Sequence, residues 1–295
     1  MRYLRKFNTQ EEYDSYLLSP EFVAPNVSLV GDKVYYHTAD MKLLPLFVEA
    51  IEPLTVSFSV NPIEYSLDNR TWQTLPVGAS TPTIEAGRKV YFRASGLTAT
   101  SADGIGTFST TGMFNVGGNI MSMAYGADFK DKTEITTNYA FFRLFRRTTV
   151  VDASMLQLPA MSLSNSCYEA TFAGCANLAK APTQLPALVL AKRCYTSMYY
   201  GCSNLEVGSD LPATDLTNMT YCYNSMYTDC SKLRYLKAMI LTPIPNNDNY
   251  YGAQTGNWLK GVASSGMFVK NSKATWNVRG EHGIPSGWTI ELADE

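Results

Sequence analysis

Six cysteines are the residues of this chain best suited by type to do chemistry, and they come as three pairs of identical spacing. Cys167 and Cys175, Cys194 and Cys202, and Cys222 and Cys230 each read C-x7-C. Zinc would ask for closer C-x2-C pairs or neighbouring histidines. The chain has only His37 and His282, in different expected modules, so no metal site is expected. If each C-x7-C spans a helix, its ends are separated by about 12 Å of rise, beyond the roughly 7 Å that a disulfide bridges. The expectation is reduced, buried thiols stacked as small hydrophobes. Disulfides between repeats, at turns or strand edges, are the alternative.

Other chemistries find little footing. Two distant histidines give no Ser-His-Asp or Cys-His arrangement. The acidic residues form no recurrent pair, although a two-carboxylate glycosidase is defined by separation in space and stays open as a reading. Gly104 to Gly118 lacks the strand-to-helix order and lysine of a phosphate loop and reads as a hairpin. No catalytic residue and no cofactor are expected, and the chain does not read as an enzyme.

The cysteines belong to a larger register. Cys167, Cys194 and Cys222 step by 27 and 28 residues, and Cys175, Cys202 and Cys230 step identically. Tyr168, Tyr195 and Tyr223 align; so do Phe172, Tyr199 and Tyr227, and Leu178, Leu205 and Leu233. These cysteines and rings are the expected repeat core. An earlier, degenerate copy has Phe141, Phe145 and Val151 in phase and Thr148 where a cysteine would stand. Such a period predicts stacked units that cannot bury their apolar faces alone. Within a unit, aromatics at i and i+4 predict a short helix ended by Gly174, Gly201 or Asp229. The triplets Leu158 Pro159 Ala160, Leu185 Pro186 Ala187 and Leu211 Pro212 Ala213 predict extended segments with leucine inward.

Phe172 Ala173 Gly174 Cys175 Ala176 Asn177 Leu178, Tyr200 Gly201 Cys202 Ser203 Asn204 Leu205, the Leu-Pro-Ala triplets, and the run from Asn257 to Trp288 resemble the BspA-like leucine-rich repeats of Bacteroidales-type bacteria and their phages. The resemblance covers roughly residues 139–295. It implies an adhesive or structural surface protein without catalysis. The third unit departs from the pattern, since Leu233 Arg234 Tyr235 Leu236 leads to no Leu-Pro-Ala.

The elements that must carry this register differ along the chain. Thr9 with Glu12 makes a capping box for a helix through Leu18, and Val27–Val30 with Lys33–His37 flank Gly31 and Asp32 as a hairpin. Alternating segments at Leu54–Val60, Ile63–Ser66, Thr71–Leu75 and Lys89–Ala94 predict a β-sandwich. The expected fold is α+β and multidomain. It comprises an N-terminal helix and hairpin attachment element at 1–45 and a β-sandwich-like domain at 46–130. A leucine-rich-repeat solenoid at 131–242 and a C-terminal cap at 243–295 complete it.

A net charge of -2 and pI near 5.8 leave no dense basic face for nucleic acid. Arg143, Arg146 and Arg147 read as a solvated face. No window approaches a membrane span, and Met1 to Phe7 lacks a secretory h-region. Tyr200, whose place is Ala173 in one repeat and Thr228 in another, points outward as a candidate surface-binding residue, with Tyr221, Tyr250 and Tyr251 as weaker candidates. The expected function is a non-enzymatic phage virion protein of head or tail fibre or decoration type, localised to the virion. Its N-terminal region would attach to virion proteins, and its repeats would bind a host-surface protein or glycan. A homotrimer is the fibre analogy. The alternatives are a bacterial cell-surface adhesin and a carbohydrate-binding accessory or glycan-active protein.

Overall fold

Short runs of alternating apolar and polar residues become strands wherever one face can be buried. The computed structural model describes residues 5–7, 9, 27–30, 33–36, 41–242 and 254–294. The helix expected through Leu18, and Tyr250 and Tyr251, lie outside the described residues. β1 (Arg5–Phe7) runs parallel to β2 (Val27–Val30), which pairs antiparallel with β3 (Lys33–Tyr36). Next along the chain come β4 (Leu46–Ala50), β5 (Val56–Phe58), β6 (Ile63–Ser66), β7 (Gln73–Leu75), β8 (Lys89–Arg93), β9 (Phe108–Thr110) and β10 (Phe114–Asn119). After them follow α1 (Ser122–Tyr125), β11 (Val150–Gln157), β12 (Tyr235–Ala238), β13 (Gly266–Asn271) and β14 (Trp288–Ala293).

A six-stranded sheet has the order β11-β10-β4-β8-β6-β7, a separate pair joins β5 to β9, and β12-β13-β14 form a parallel sheet. The segment 104–118 is not the expected hairpin. β9 pairs with β5, whereas β10 lies between β4 and β11, so the two strands serve different sheets. Gly118 closes β10 against the chain before β4. Its φ is 79°, and a Cβ there would stand 2.0 Å from the Pro45 carbonyl oxygen.

The expected fold class is corrected. Regular structure is mainly sheet, 29% against 4% helix, and the sheets do not make a leucine-rich-repeat solenoid. Among the described residues the one α-helix is the four-residue α1, outside the repeats. The units at 139–147, 166–175, 193–202 and 221–230 are runs of turns instead. Spacing is the physical reason. Equivalent rings of successive units lie only 5.4 to 5.8 Å apart along Phe141, Tyr168, Tyr195 and Tyr223. That is close to the distance between strands, about 4.8 Å, and packed helices need about 8 to 10 Å.

The core follows these rings without a break. Phe108 of β9 contacts Phe58 and Phe92 at 4.8 and 5.0 Å and stacks on Phe145 at 5.2 Å. From Phe145 a column continues through Phe172, Tyr199 and Tyr227. The second column runs from Phe141 through Tyr168, Tyr195 and Tyr223 to Trp258, Phe268 and Trp276. One apolar cluster contains residues from Leu46 to Trp288. β11, itself part of the repeat register, pairs with β10, so the main sheet and the repeats share a strand boundary.

Candidate functional site

The surface of the repeats is set by where the backbone hydrogen bonds go. In the unit at 166–175, the N–H groups of Tyr168, Ala170, Phe172 and Gly174 donate to the carbonyls of Cys194, Thr196, Met198 and Tyr200 in the next unit. The intervening N–H groups of Glu169, Thr171, Ala173 and Cys175 close turns onto the residue three back. The chain reverses by a left-handed residue at every fourth position: Ser166, Ala170 and Gly174 have φ of 55°, 56° and 78°. Arg193, Ser197 and Gly201 repeat this in the next unit, and Tyr221, Ser225 and Asp229 in the one after. Residues at fixed phase therefore form straight columns, either inward or outward.

The inward columns hold the expected repeat core. Cys167, Phe172, Cys175, Cys194, Tyr199, Cys202, Cys222, Tyr227 and Cys230 are fully buried, and Tyr168, Tyr195 and Tyr223 nearly so. All six thiols are free. Cys175, Cys202 and Cys230 donate to the carbonyls of Phe145, Phe172 and Tyr199 at 2.9, 3.2 and 3.0 Å. Thr148 completes that column with its hydroxyl on Phe145 O. Burial pushes the Cys175 thiol up to about 11 and the Cys194 thiol to about 12, which suppresses the thiolate that ligation or nucleophilic attack would need.

Tyr200 projects outward, 44% exposed. The neighbouring Asp229 carboxylate of the next unit raises its pKa, with Lys260 acting in the opposite sense. Beside it, Gly201 leaves bare backbone, its missing Cβ meeting only the backbone of Gly174 at 3.8 Å. Tyr221 is half-buried under the Arg193 guanidinium, 5.0 Å from its ring centroid. The two tyrosines lie at opposite ends of the turn run and are not brought together.

Sequence reasoning missed two hollows on the extended side of the units. A cleft of about 650 Å³ opens between Lys180–Thr183 of one unit and Glu206–Gly208 of the next. A second hollow of about 440 Å³, lined by Gln184, Leu211, Pro212, Lys237 and Met239, shares Asp210 with it. Extended residues pair in parallel at Asp152 with Lys180, Val207 with Tyr235 and Gln184 with Asp210. Among the described residues, no backbone hydrogen bond joins Lys180–Pro182 to Glu206–Val207; the two units meet again where Asp210 N–H reaches the Thr183 carbonyl at 2.9 Å. Ser209 fills the step, its hydroxyl on Pro182 O at 2.5 Å and 3.0 Å from the Tyr199 hydroxyl.

A legible signal for this cleft was there. Leu185 follows Cys175 by ten positions, but Leu211 follows Cys202 by only nine. A unit one residue shorter must lose register with its neighbour, and the ladder parts where the residue is missing. The cleft walls carry ion pairs: Lys180 with Asp152 at 3.0 Å, and Arg234 with Glu206.

No family model matches the chain, and no curated protein or solved structure matches it.

Proposed function

We propose that this chain is a non-enzymatic display protein of a phage virion, a fibre or decoration component that offers its repeat surface to the host. The observation that carries this reading is the division of labour between columns. Rings and thiols are sunk inward and cross-linked by backbone bonds from unit to unit, while Tyr200 stands outward near the Asp229 carboxylate. An exposed aromatic, with two rotatable side-chain angles, next to bare backbone offers contact area at low cost in conformational entropy. The motif resemblance of Phe172 to Leu178 and Tyr200 to Leu205 supplies the virion setting and the host-facing role.

The test is twofold. Mass spectrometry of purified virions should detect the chain, and the purified protein should bind host cells. Tyr200→Ala should weaken that binding at least several-fold while thermal stability changes little, because an exposed ring contributes little to the core. Absence from virions together with retention on bacterial envelopes would replace the virion setting by a bacterial adhesin. Binding that ignores Tyr200→Ala would remove this face from the contact.

A further inference from the structure

We infer that the cleft between the units at 175–187 and 202–213 takes an extended polypeptide carrying a lysine or arginine, whose cationic group meets Asp210. The inference rests on the reading of the repeats as a binding surface. Two independent features on the cleft argue for it.

The first is backbone. Elsewhere the units are laced by hydrogen bonds, but Lys180–Pro182 and Glu206–Val207 face each other across about 650 Å³ without one among the described residues. Lys180 O accepts the Ala153 N–H, Glu206 O the Arg234 N–H and Pro182 O the Ser209 hydroxyl, but among the described residues Ala181 and Val207 make no backbone hydrogen bond, and their natural complement is another extended chain, the arrangement by which peptides add to open sheet edges. Ala181 and Pro182 are buried on the inner side, and Val207, 52% exposed, stands at the mouth. The wall is therefore apolar where the side chains of an extended segment would alternate against it.

The second is charge. Glu206 is engaged by Arg234 and Lys180 by Asp152. Among the described residues, the one cation paired with Asp210, which both hollows share, is Lys237 at 3.9 Å, too long for a hydrogen bond. Burial outweighs that lysine and holds the Asp210 carboxyl above its ordinary range. A half-sheltered carboxylate with no side-chain hydrogen-bond donor among the described residues is complementary to an ammonium or guanidinium group.

The experiment uses the full chain labelled with ¹⁵N and the probe acetyl-Thr-Val-Lys-Val-Thr-amide. The peptide should move the amide signals of Ala181, Val207 and Gly208, with saturation at millimolar concentrations. The norleucine analogue should bind about tenfold more weakly, the difference of one charge-assisted hydrogen bond. Asp210→Asn should abolish the preference for lysine. The inference is overturned by equal binding of the two peptides, by shifts confined to other regions, or by chitooligosaccharides moving the same amides when the peptide does not. Should Asp210→Asn unfold, the comparison of the two peptides on the unaltered chain still decides. Failure of the peptide while host-cell binding persists removes this inference alone; loss of host-cell binding as well removes the display reading.

Discussion

The rings of Tyr168 and Tyr195 lie 5.6 Å apart and 3° from parallel, although 27 residues separate them in the chain. Tyr195 is stacked again on its other side by Tyr223, at 5.8 Å and 7°. Each ring is thus both filler of its own unit and floor of the next. Removing the middle one should be felt throughout the stack. Tyr195→Ala is expected to cost about 3 to 5 kcal/mol, read as a fall in the urea midpoint. A loss below about 1 kcal/mol would mean that the column relaxes around the gap.

The two tyrosine columns differ in what they do with their hydroxyls. The Tyr168 hydroxyl is buried with no hydrogen-bond partner among the described residues, whereas that of Tyr199 lies 3.0 Å from the Ser209 hydroxyl. An unpaired buried hydroxyl destabilises by about 1 to 3 kcal/mol. Tyr168→Phe should therefore leave stability unchanged or raise it, and Tyr199→Phe should lower it by about 1 kcal/mol. Chemical denaturation of the two variants side by side checks the sign of each.

All six thiols should be silent in the native protein. An exposed cysteine titrates near 8.5, but burial lifts Cys175 to about 11 and Cys194 to about 12, and pushes Cys167, Cys202, Cys222 and Cys230 upward as well. A thiol-reactive disulfide reagent at pH 8 is expected to label none of them within minutes and six per chain in denaturant. Rapid labelling of even one under native conditions would contradict the dry core.

Gly118 and Gly201 make a matched pair. Both have left-handed φ, 79° and 72°. At Gly201 there is room for a side chain, so Gly201→Ala should cost only the backbone strain, about 1 to 2 kcal/mol. At Gly118 the new carbon would collide with the Pro45 carbonyl at 2.0 Å. Gly118→Ala should prevent β10 from closing on the chain before β4, giving several kcal/mol of destabilisation or insoluble expression. Equal melting temperatures for the two variants would refute the contact.

Asp68 turns the chain between β6 and β7, its carboxylate accepting the N–H groups of Thr71 and Arg70 at 2.7 and 2.8 Å. Those bonds, the Thr71 one foremost, hold its pKa below the ordinary aspartate range. A group depressed on folding adds stability above its unfolded pKa, about 3.9, and loses it as the pH falls below that value. The advantage of the wild type over Asp68→Ala at pH 7 should therefore shrink on acidification below about pH 4. An advantage that holds constant to pH 2 would show that the turn does not depend on the charge.

The C-x7-C spacing itself held the evidence against a helix. Eight residues of α-helix leave two side chains about 80° apart around the axis, whereas two turns of four residues bring them back into line. Cys167 and Cys175 are both fully buried. Aromatics at i and i+4 fit either period, and it is the cysteines that separate them. The strands at Ile63–Ser66 and Lys89–Arg93 were legible because alternation is a local pattern. The partners of β9 and β10 were not, because pairing is chosen by distant chain.

By itself the sequence determined the register: which rings, thiols and leucines recur, at what interval, and that Tyr200 breaks the inward pattern. Only the tertiary structure decided where the backbone bonds go. An N–H such as that of Tyr168 can reach a carbonyl of its own unit or, as here, that of Cys194 in the next. Side-chain pattern is the same in both cases, and the choice falls to how closely the neighbouring units approach. The same holds for Asp210, an ordinary acidic residue in the sequence that a unit one residue short leaves at the edge of a cleft.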